Sequence, residues 1–192
     1  MDFKDSKTYK NLALSFSAEC MAGLRYQMIA DLLIKEGYQT LADTIKELAK
    51  NETWHAKQEM TLLNANAGDV NNINITGDFP FVAENVESGL LSAIKSEEQE
   101  SVFYNAAAKT AEEEGYNEIA DKFRLIGEIE LHHREVFSKM LNDYKNGTLF
   151  RSDKEKTYTC ANCGHFDKLY KAWNICPVCG SGQGFVKVDF EK

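Results

Sequence analysis

The sequence has few prolines, few basic residues and no long apolar run. Two prolines in 192 residues favour a largely helical protein, because proline interrupts regular helices. The formal net charge of -8 argues against a nucleic-acid surface, since phosphate binding needs clustered Lys and Arg. No apolar run reaches the ~18 residues of a membrane span, and the polar first residues are unlike a secretory leader. We therefore expect a helical protein that binds neither nucleic acid nor membrane.

Cysteine is scarce until the last part of the chain, where four of the five cysteines fall. They form two Cys-x-x-Cys-Gly motifs, Cys160-Ala-Asn-Cys163-Gly and Cys176-Pro-Val-Cys179-Gly. This clustering favours a metal site over disulfides and, without a leader, a reducing cytoplasm. Four such thiolates predict one tetrahedral site for zinc or iron. A module as small as residues 148–192 needs that metal to hold its fold.

Four segments have apolar residues at helical spacing and predict long helices, at residues 6–36, 39–64, 82–114 and 117–144. Gly37 and Gly115 follow the first and third of these, where a left-handed residue commonly ends a helix. The Asn- and Gly-rich residues 65–80 lack this periodicity and predict a long connection. Cys20 and Trp54 are expected to lie in the core formed by the helices.

An internal repeat relates the two halves of this helical region. A shift of 78 residues places Gly37 on Gly115, and it superimposes four further pairs, Glu19 and Glu97, Tyr26 and Tyr104, Glu52 and Glu130, His55 and His133. Two related hairpins joined by a long crossover predict an all-α four-helix bundle over residues 1–147.

The repeat carries the motif Glu-x-x-His, at Glu52–His55 and at Glu130–His133. Residues three apart lie on one face of a helix, so each carboxylate and its imidazole point the same way. At ~1.5 Å per residue, Glu19 and Glu52 lie side by side, roughly 22–27 Å from the turn at Gly37. The second hairpin repeats this spacing, which predicts one shared site at mid-bundle.

Seven side chains are therefore candidates for a buried two-metal centre, namely Glu19, Glu52, His55, Glu97, Glu100, Glu130 and His133. Several carboxylates in a bundle core need cations to offset their repulsion. Mixed carboxylate and imidazole ligands suit iron or manganese. The alternative is a set of exposed glutamates on charged helices.

One of these seven candidates breaks the repeat, and two tyrosines join the site. Glu100 has no counterpart in the first hairpin, where the repeat places Ala22, so one metal ion has an additional carboxylate available. Tyr26 and Tyr104 lie two helical turns beyond Glu19 and Glu97 on the same face. These tyrosines are either hydrogen-bond donors to ligand carboxylates or bound peroxide, or ordinary core residues.

Taken together, these motifs resemble the rubrerythrin family, in which a ferritin-like di-iron domain precedes a rubredoxin-like domain. The resemblance covers essentially the whole chain. It implies that Glu52 and Glu130 bridge the two irons, and that the remaining ligands are Glu19, Glu100 and His55 on one iron and Glu97 and His133 on the other. The resemblance also implies that His55 and Glu100 replace each other as ligands of one iron when the irons change oxidation state. The family usually has a tyrosine at the position of Asn105, and Tyr104 beside it is the candidate substitute.

The resemblance also implies a peroxidase that reduces hydrogen peroxide to water with two irons in the bundle and one iron in the Cys₄ site. The Cys₄ iron would return electrons received from an NAD(P)H-dependent reductase or a free rubredoxin. A homodimer is implied, in which the C-terminal module of one chain approaches the di-iron site of the other. Two other functions remain open: a ferroxidase that oxidises ferrous iron for storage, and a non-enzymatic scaffold whose zinc ribbon recruits a partner.

Overall fold

Four long helices form most of the molecule in the computed structural model, which describes residues 2–68, 72–81 and 84–190. The helices are α1 Lys7–Lys35, α2 Gln39–Ala67, α3 Val86–Glu113 and α4 Asn117–Asn146. Helix α2 is longer than predicted. Helix α3 begins later than the predicted Val82, because Asn85 and Ser88 form a capping box before its first turn. Val82 itself lies outside the described residues. In the part of the chain that the structure describes, no helix is long and apolar enough to cross a membrane.

The two hairpin turns have the same backbone geometry, as the repeat predicts. Gly37 and Gly115 have φ of 85° and 87°, in the left-handed region that favours glycine. Each turn is closed by an amide of the following tyrosine, with Tyr38 N bound to Leu33 O at 2.8 Å and Tyr116 N to Ala111 O at 2.7 Å. Helix α1 therefore packs along α2, and α3 along α4.

The glutamate of each turn fastens that turn to the open end of the other hairpin. Glu114 accepts hydrogen bonds from the backbone amides of Lys7 and Thr8 at the start of α1, at 3.0 and 2.9 Å. At the opposite end of the bundle, the Tyr144 hydroxyl near the end of α4 donates to Glu36 at 2.7 Å. The bundle is thus held at both of its ends.

Two apolar clusters fill the bundle, one toward each end. The cluster nearer the α1–α2 turn includes Leu33, Ile45 and Phe137, and the cluster at the other end includes Leu12 and Phe123. The candidate carboxylates lie in sequence between these clusters on all four helices. The predicted all-α four-helix bundle is confirmed, and its glutamates form a polar layer in an otherwise apolar core.

A small C-terminal module follows α4 and rests on the α1–α2 turn. Its strands, β1 Arg151–Thr159 and β2 Phe166–Lys171, pair antiparallel. The Thr40 hydroxyl donates to the carbonyls of Val186 and Gly184, at 2.7 and 3.2 Å. Gly184 lies directly against the Gly37 carbonyl, where a Cβ atom would overlap that oxygen. The module is therefore docked on its own chain at the end of the bundle.

Candidate metal centres

The polar layer of the bundle places the repeated Glu-x-x-His motifs of α2 and α4 opposite each other. It forms two groups of potential ligands, Glu19, Glu52, His55 and Glu130 in one, and Glu52, Glu97, Glu130 and His133 in the other. Within each group the ligand atoms all lie within 4.8 Å of one another. Glu52 and Glu130 belong to both groups, the position that bridging carboxylates of a two-metal site occupy. The four glutamates of these groups have no exposed surface.

The contacts within this layer fit metal ligation better than hydrogen bonding. His133 Nδ1 lies 2.8 Å from Glu52 Oε1 and 3.0 Å from Glu130 Oε2, and His55 Nδ1 lies 3.0 Å from Glu130 Oε1. None of these nitrogens or oxygens has a well-directed hydrogen bond to a described residue. Donor atoms that converge at close range without hydrogen-bond geometry suit a shared cation, and this donor set suits two iron ions.

The charges of the layer show that it requires compensating positive charge. Burial alone would raise the pKa of Glu52, but the adjacent His133 and His55 lower it. Burial opposes protonation of His133, yet Glu130 and Glu52 raise the pKa of His133 to about 9. Burial, and then the charges of Glu52 and Glu130, raises the pKa of Glu97 above its usual range. Protons on the imidazoles thus supply the charge that bound cations would otherwise supply.

Glu100 is the one candidate glutamate that lies outside both ligand groups. Its Oε1 accepts a hydrogen bond from the Ser96 hydroxyl at 2.6 Å and lies 3.9 Å from the Arg25 guanidinium. Burial, followed by the charges of Glu52 and Glu130, raises the pKa of Glu100 to about 7. Its ligation of a metal ion stays a prediction, and in this structure the side chain is turned toward Arg25.

Both candidate tyrosines lie in the core and donate hydrogen bonds to ligand carboxylates. The Tyr26 hydroxyl donates to Glu97, and the Tyr104 hydroxyl donates to Glu19. Asn105 is exposed, and its amide donates to the Ser101 carbonyl at 2.9 Å. Tyr104, and not Asn105, therefore reaches the metal-binding layer.

Glu59 is a buried carboxylate of this region that the sequence reasoning missed. It has no exposed surface, and its Oε1 lies 2.7 Å from the Tyr104 hydroxyl oxygen. Burial raises the pKa of Glu59 to about 8. The Tyr104 hydroxyl therefore contacts two buried carboxylates, Glu19 and Glu59. Glu59 follows Glu52 by seven residues, or two helical turns, and this spacing could have indicated that it lies on the same face of α2. The shift of 78 residues, however, pairs Glu59 with an apolar residue, Phe137, so the repeat did not reveal it.

The four cysteines of the C-terminal module converge on a second site. Cys160 Sγ lies 3.8 Å from Cys179 Sγ, and Cys163 Sγ lies 3.7 Å from Cys176 Sγ. Tetrahedral coordination with metal–sulfur bonds of ~2.3 Å places sulfurs ~3.8 Å apart, so the site is shaped for one ion. The hydroxyl and amide of Ser181 lower the pKa of Cys179 to about 6, which favours the thiolate that binds metal.

Two residues expected in the core are exposed instead. Trp54 is 52% exposed, and the Lys57 ammonium lies 4.2 Å from the centroid of its ring. Cys20 is also exposed. Both line a groove between α1 and α2. The expectation was wrong because both side chains were assigned to the core, whereas their positions on α1 and α2 place them at the surface.

Comparisons with known proteins agree with this arrangement. A family model described as Rubrerythrin matches residues 10–88 and 89–164. The chain is 34% identical over 184 residues to Rubrerythrin of Porphyromonas gingivalis, covering 95% of this chain and 90% of that protein. It is 31% identical over 187 residues to Rubrerythrin-1 of Clostridium acetobutylicum, covering 96% and 95%. A solved structure of fully reduced, all-ferrous nigerythrin shares the fold, with a TM-score of 0.63 and 22% identity over 97% of this chain and 91% of that chain.

Proposed function

Because the chain belongs to the rubrerythrin family of di-iron oxidoreductases, we propose that it is a peroxidase that reduces hydrogen peroxide to water and so protects against oxidative stress. The bundle carries a carboxylate and histidine di-iron site, and the four cysteines form a rubredoxin-like iron site. The observation that carries the proposal is the pair of ligand groups that share Glu52 and Glu130. A site for two adjacent metal ions suits a two-electron substrate.

Two ferrous ions held by these ligand groups would supply the two electrons that break the O–O bond, and would act as Lewis acids on the departing oxygen. Glu52 and Glu130 hold the two metal positions together, because each carboxylate belongs to both ligand groups. Tyr104 orients Glu19 through its hydroxyl. Glu59, beside Tyr104 and with a raised pKa, would be able to supply one of the protons that the departing oxygens need to leave as water.

Cys160, Cys163, Cys176 and Cys179 would hold an iron that carries single electrons to the bundle, supplied in the cytoplasm by an NAD(P)H-dependent reductase or a rubredoxin. The module that holds this iron docks at the α1–α2 turn through Thr40 and Gly184. Glu52 lies 15 residues along α2 from Gly37, or roughly 22 Å at ~1.5 Å per residue. This separation supports a homodimer in which the module of one chain serves the di-iron site of the other. A ferroxidase that stores iron needs no supply of electrons. The Cys₄ site, which would supply them, therefore favours the peroxidase over the ferroxidase.

A single-turnover experiment tests the peroxidase. Full-length protein is loaded with iron, reduced without oxygen and mixed with hydrogen peroxide in a stopped-flow spectrometer. We expect rapid oxidation of the bundle irons, and loss of this phase in the Glu52→Gln/Glu130→Gln variant. The matched control is Glu47→Gln/Glu128→Gln, which changes exposed glutamates on the same two helices. If the two double variants react with peroxide equally fast, the proposal is wrong.

A mixing experiment tests electron transfer between chains. One variant lacks the Cys₄ site through Cys160→Ser, and the other lacks the bundle site through Glu52→Gln/Glu130→Gln. Neither homodimer should turn over with an external electron donor, whereas mixed dimers should regain steady-state peroxide reduction. Mixed dimers that stay inactive while both parent proteins bind their remaining metal would contradict transfer between chains.

A further inference from the structure

A cavity of about 220 Å³ lies between α1, α3 and the connection that crosses the bundle. Leu14 and Ala18 of α1 and Phe103 of α3 line its inner wall, and residues 77–80 line its outer wall, with Phe79 among them. Gly77 packs so closely on Leu14 that a Cβ atom at Gly77 would lie 2.8 Å from the Leu14 methyl carbon. Most of the lining is therefore apolar and is held in place by the connection.

The inner end of this cavity is polar and adjoins the metal-binding layer. Arg25, Ser96 and Glu100 line it there. Arg25 Nη2 donates to the Ser96 hydroxyl at 3.0 Å, and Arg25 Nη1 donates to the Pro80 carbonyl at 3.3 Å. Arg25 thus links the connection to the helix that carries Glu100.

Two buried polar atoms at this end lack a protein hydrogen-bond partner among the described residues. They are Arg25 Nε, a donor, and Glu100 Oε2, an acceptor. A hydroperoxide group accepts through its oxygens and donates through its single hydrogen, so it complements both atoms. The adjacent charges of Arg25 and Glu100 offset each other, which favours an uncharged ligand over an anion or a cation.

The cavity lies where the internal repeat is broken. The shift of 78 residues pairs Ala18 with Ser96, Ala22 with Glu100 and Arg25 with Phe103. Each pair joins a polar residue to an apolar one. Ser96 and Glu100 thus add polar groups beside Arg25, and Phe103 and Ala18 add apolar wall, although Ser15, Asp78 and Gln99 also line the cavity. Such a lining suits a ligand with one polar and one apolar part.

The cavity is larger than hydrogen peroxide requires. A water molecule takes ~30 Å³, so the two oxygens of hydrogen peroxide need roughly 60 Å³. On the same scale tert-butyl hydroperoxide, with six non-hydrogen atoms, takes at most about 180 Å³, and cumene hydroperoxide, with eleven, takes at most about 330 Å³. The first fits within 220 Å³ even at this upper limit, whereas the second exceeds it at the same limit.

We propose that this cavity binds the alkyl group of small organic hydroperoxides, with the hydroperoxide oxygens between Arg25 and Glu100. The inference rests on the peroxidase function proposed above and extends its substrate class. In the reaction the O–O bond of ROOH breaks, two electrons come from the two ferrous ions, and two protons are taken up. The products are the alcohol ROH and water.

The test compares three peroxides on iron-loaded, full-length protein, with and without a filled cavity. Ala18→Leu adds three carbons to the cavity wall and removes roughly 90 Å³ on the same scale, which leaves less than the roughly 180 Å³ of tert-butyl hydroperoxide. Ala106→Leu makes the same change at an exposed position of α3 outside the cavity and is the matched control. Steady-state kcat/KM is measured for hydrogen peroxide, tert-butyl hydroperoxide and cumene hydroperoxide.

We expect the wild-type protein to reduce tert-butyl hydroperoxide well and cumene hydroperoxide at least about tenfold less well. Ala18→Leu should lower kcat/KM for tert-butyl hydroperoxide, relative to hydrogen peroxide, at least about tenfold, and Ala106→Leu should leave that ratio unchanged. Saturation-transfer NMR gives a readout independent of turnover. The methyl signal of tert-butyl alcohol should be attenuated by the full-length wild-type protein and by Ala106→Leu, but not by Ala18→Leu.

The possible failures are distinct. If no peroxide is reduced, the proposed function falls and this inference falls with it. If hydrogen peroxide alone is reduced, or if Ala18→Leu leaves both the ratio and the NMR signal unchanged, the substrate inference is wrong while the peroxidase stands. Equal turnover of tert-butyl and cumene hydroperoxide would overturn the assignment of this cavity as the binding site.

Discussion

Replacing Glu59 with glutamine tests whether this buried carboxylate is neutral in the folded protein. Glu59 is fully buried beside the Tyr104 hydroxyl, and burial raises its pKa from 4.5 to about 8. In the unfolded chain the same group ionises near pH 4.5. Between these pH values the folded protein keeps a proton that the unfolded chain has released. The free energy of unfolding of the wild-type protein therefore falls as the pH rises through this range.

Glutamine has no proton to lose, so Glu59→Gln lacks this contribution to the pH dependence. The free energy of unfolding of the variant should therefore rise, relative to wild type, by about 1.4 kcal/mol per pH unit. Over the whole interval from pH 4.5 to about 8 the relative change is about 5 kcal/mol. Below pH 4.5 the difference in the free energy of unfolding between the variant and wild type should not change with pH. Its value there, about 1 kcal/mol, is the effect of replacing the hydrogen bond between Glu59 and Tyr104.

The assay is urea unfolding of metal-depleted, full-length protein, followed by helical circular dichroism at several pH values between 5 and 8. Metal-depleted protein is used because release of bound metal would otherwise govern the unfolding transition. Glu128→Gln, an exposed change on α4, is the control and should keep a constant difference from wild type. A difference between Glu59→Gln and wild type that does not grow with pH would refute a protonated Glu59. The infrared carbonyl band of a protonated carboxyl group should also be weaker in Glu59→Gln at pH 7.

Three further predictions follow from the site and the docking contacts. Gly184→Ala should displace the C-terminal module from the Gly37 carbonyl and increase the radius of gyration in small-angle X-ray scattering, while Gly182→Ala, which meets no neighbour within 4 Å, should not. Tyr104→Phe should destabilise the bundle by about 1–3 kcal/mol in urea unfolding, because it removes the buried hydroxyl that contacts both Glu19 and Glu59, and a change below 0.5 kcal/mol would contradict this. Cys163→Ser should abolish the red ferric-thiolate colour and steady-state turnover but keep the first oxidation of the bundle irons by peroxide; retained turnover would show that the Cys₄ iron is not the electron carrier.

The internal repeat made most of the bundle predictable from the sequence. It located both hairpin turns, and the equal spacing of Glu52 and Glu130 from them indicated one layer of ligands. The structure has the same turn geometry at Gly37 and Gly115 and brings the two Glu-x-x-His motifs together. These features depend on helix period and length, which a sequence specifies directly.

The features that the sequence did not predict are those in which the two hairpins differ. Glu59 has an apolar repeat partner, so the comparison that revealed the other glutamates concealed this one. The orientation of Glu100 depends on Ser96, one turn earlier on α3, and on Arg25 of α1. The contact with Arg25 requires the packed structure, because Arg25 belongs to no motif of known spacing.

The hydrogen bonds of Glu36 and Glu114 have a consequence for how the bundle loosens. They fasten the two ends of the four helices, whereas the mutually repelling glutamates lie midway between. When metal is lost, protons on His55 and His133 offset part of this repulsion, and the contacts at the two ends keep the helices together. The centre of the bundle should then loosen before its ends do. Amide hydrogens near Glu52 and Glu130 would exchange with solvent sooner than those at either turn.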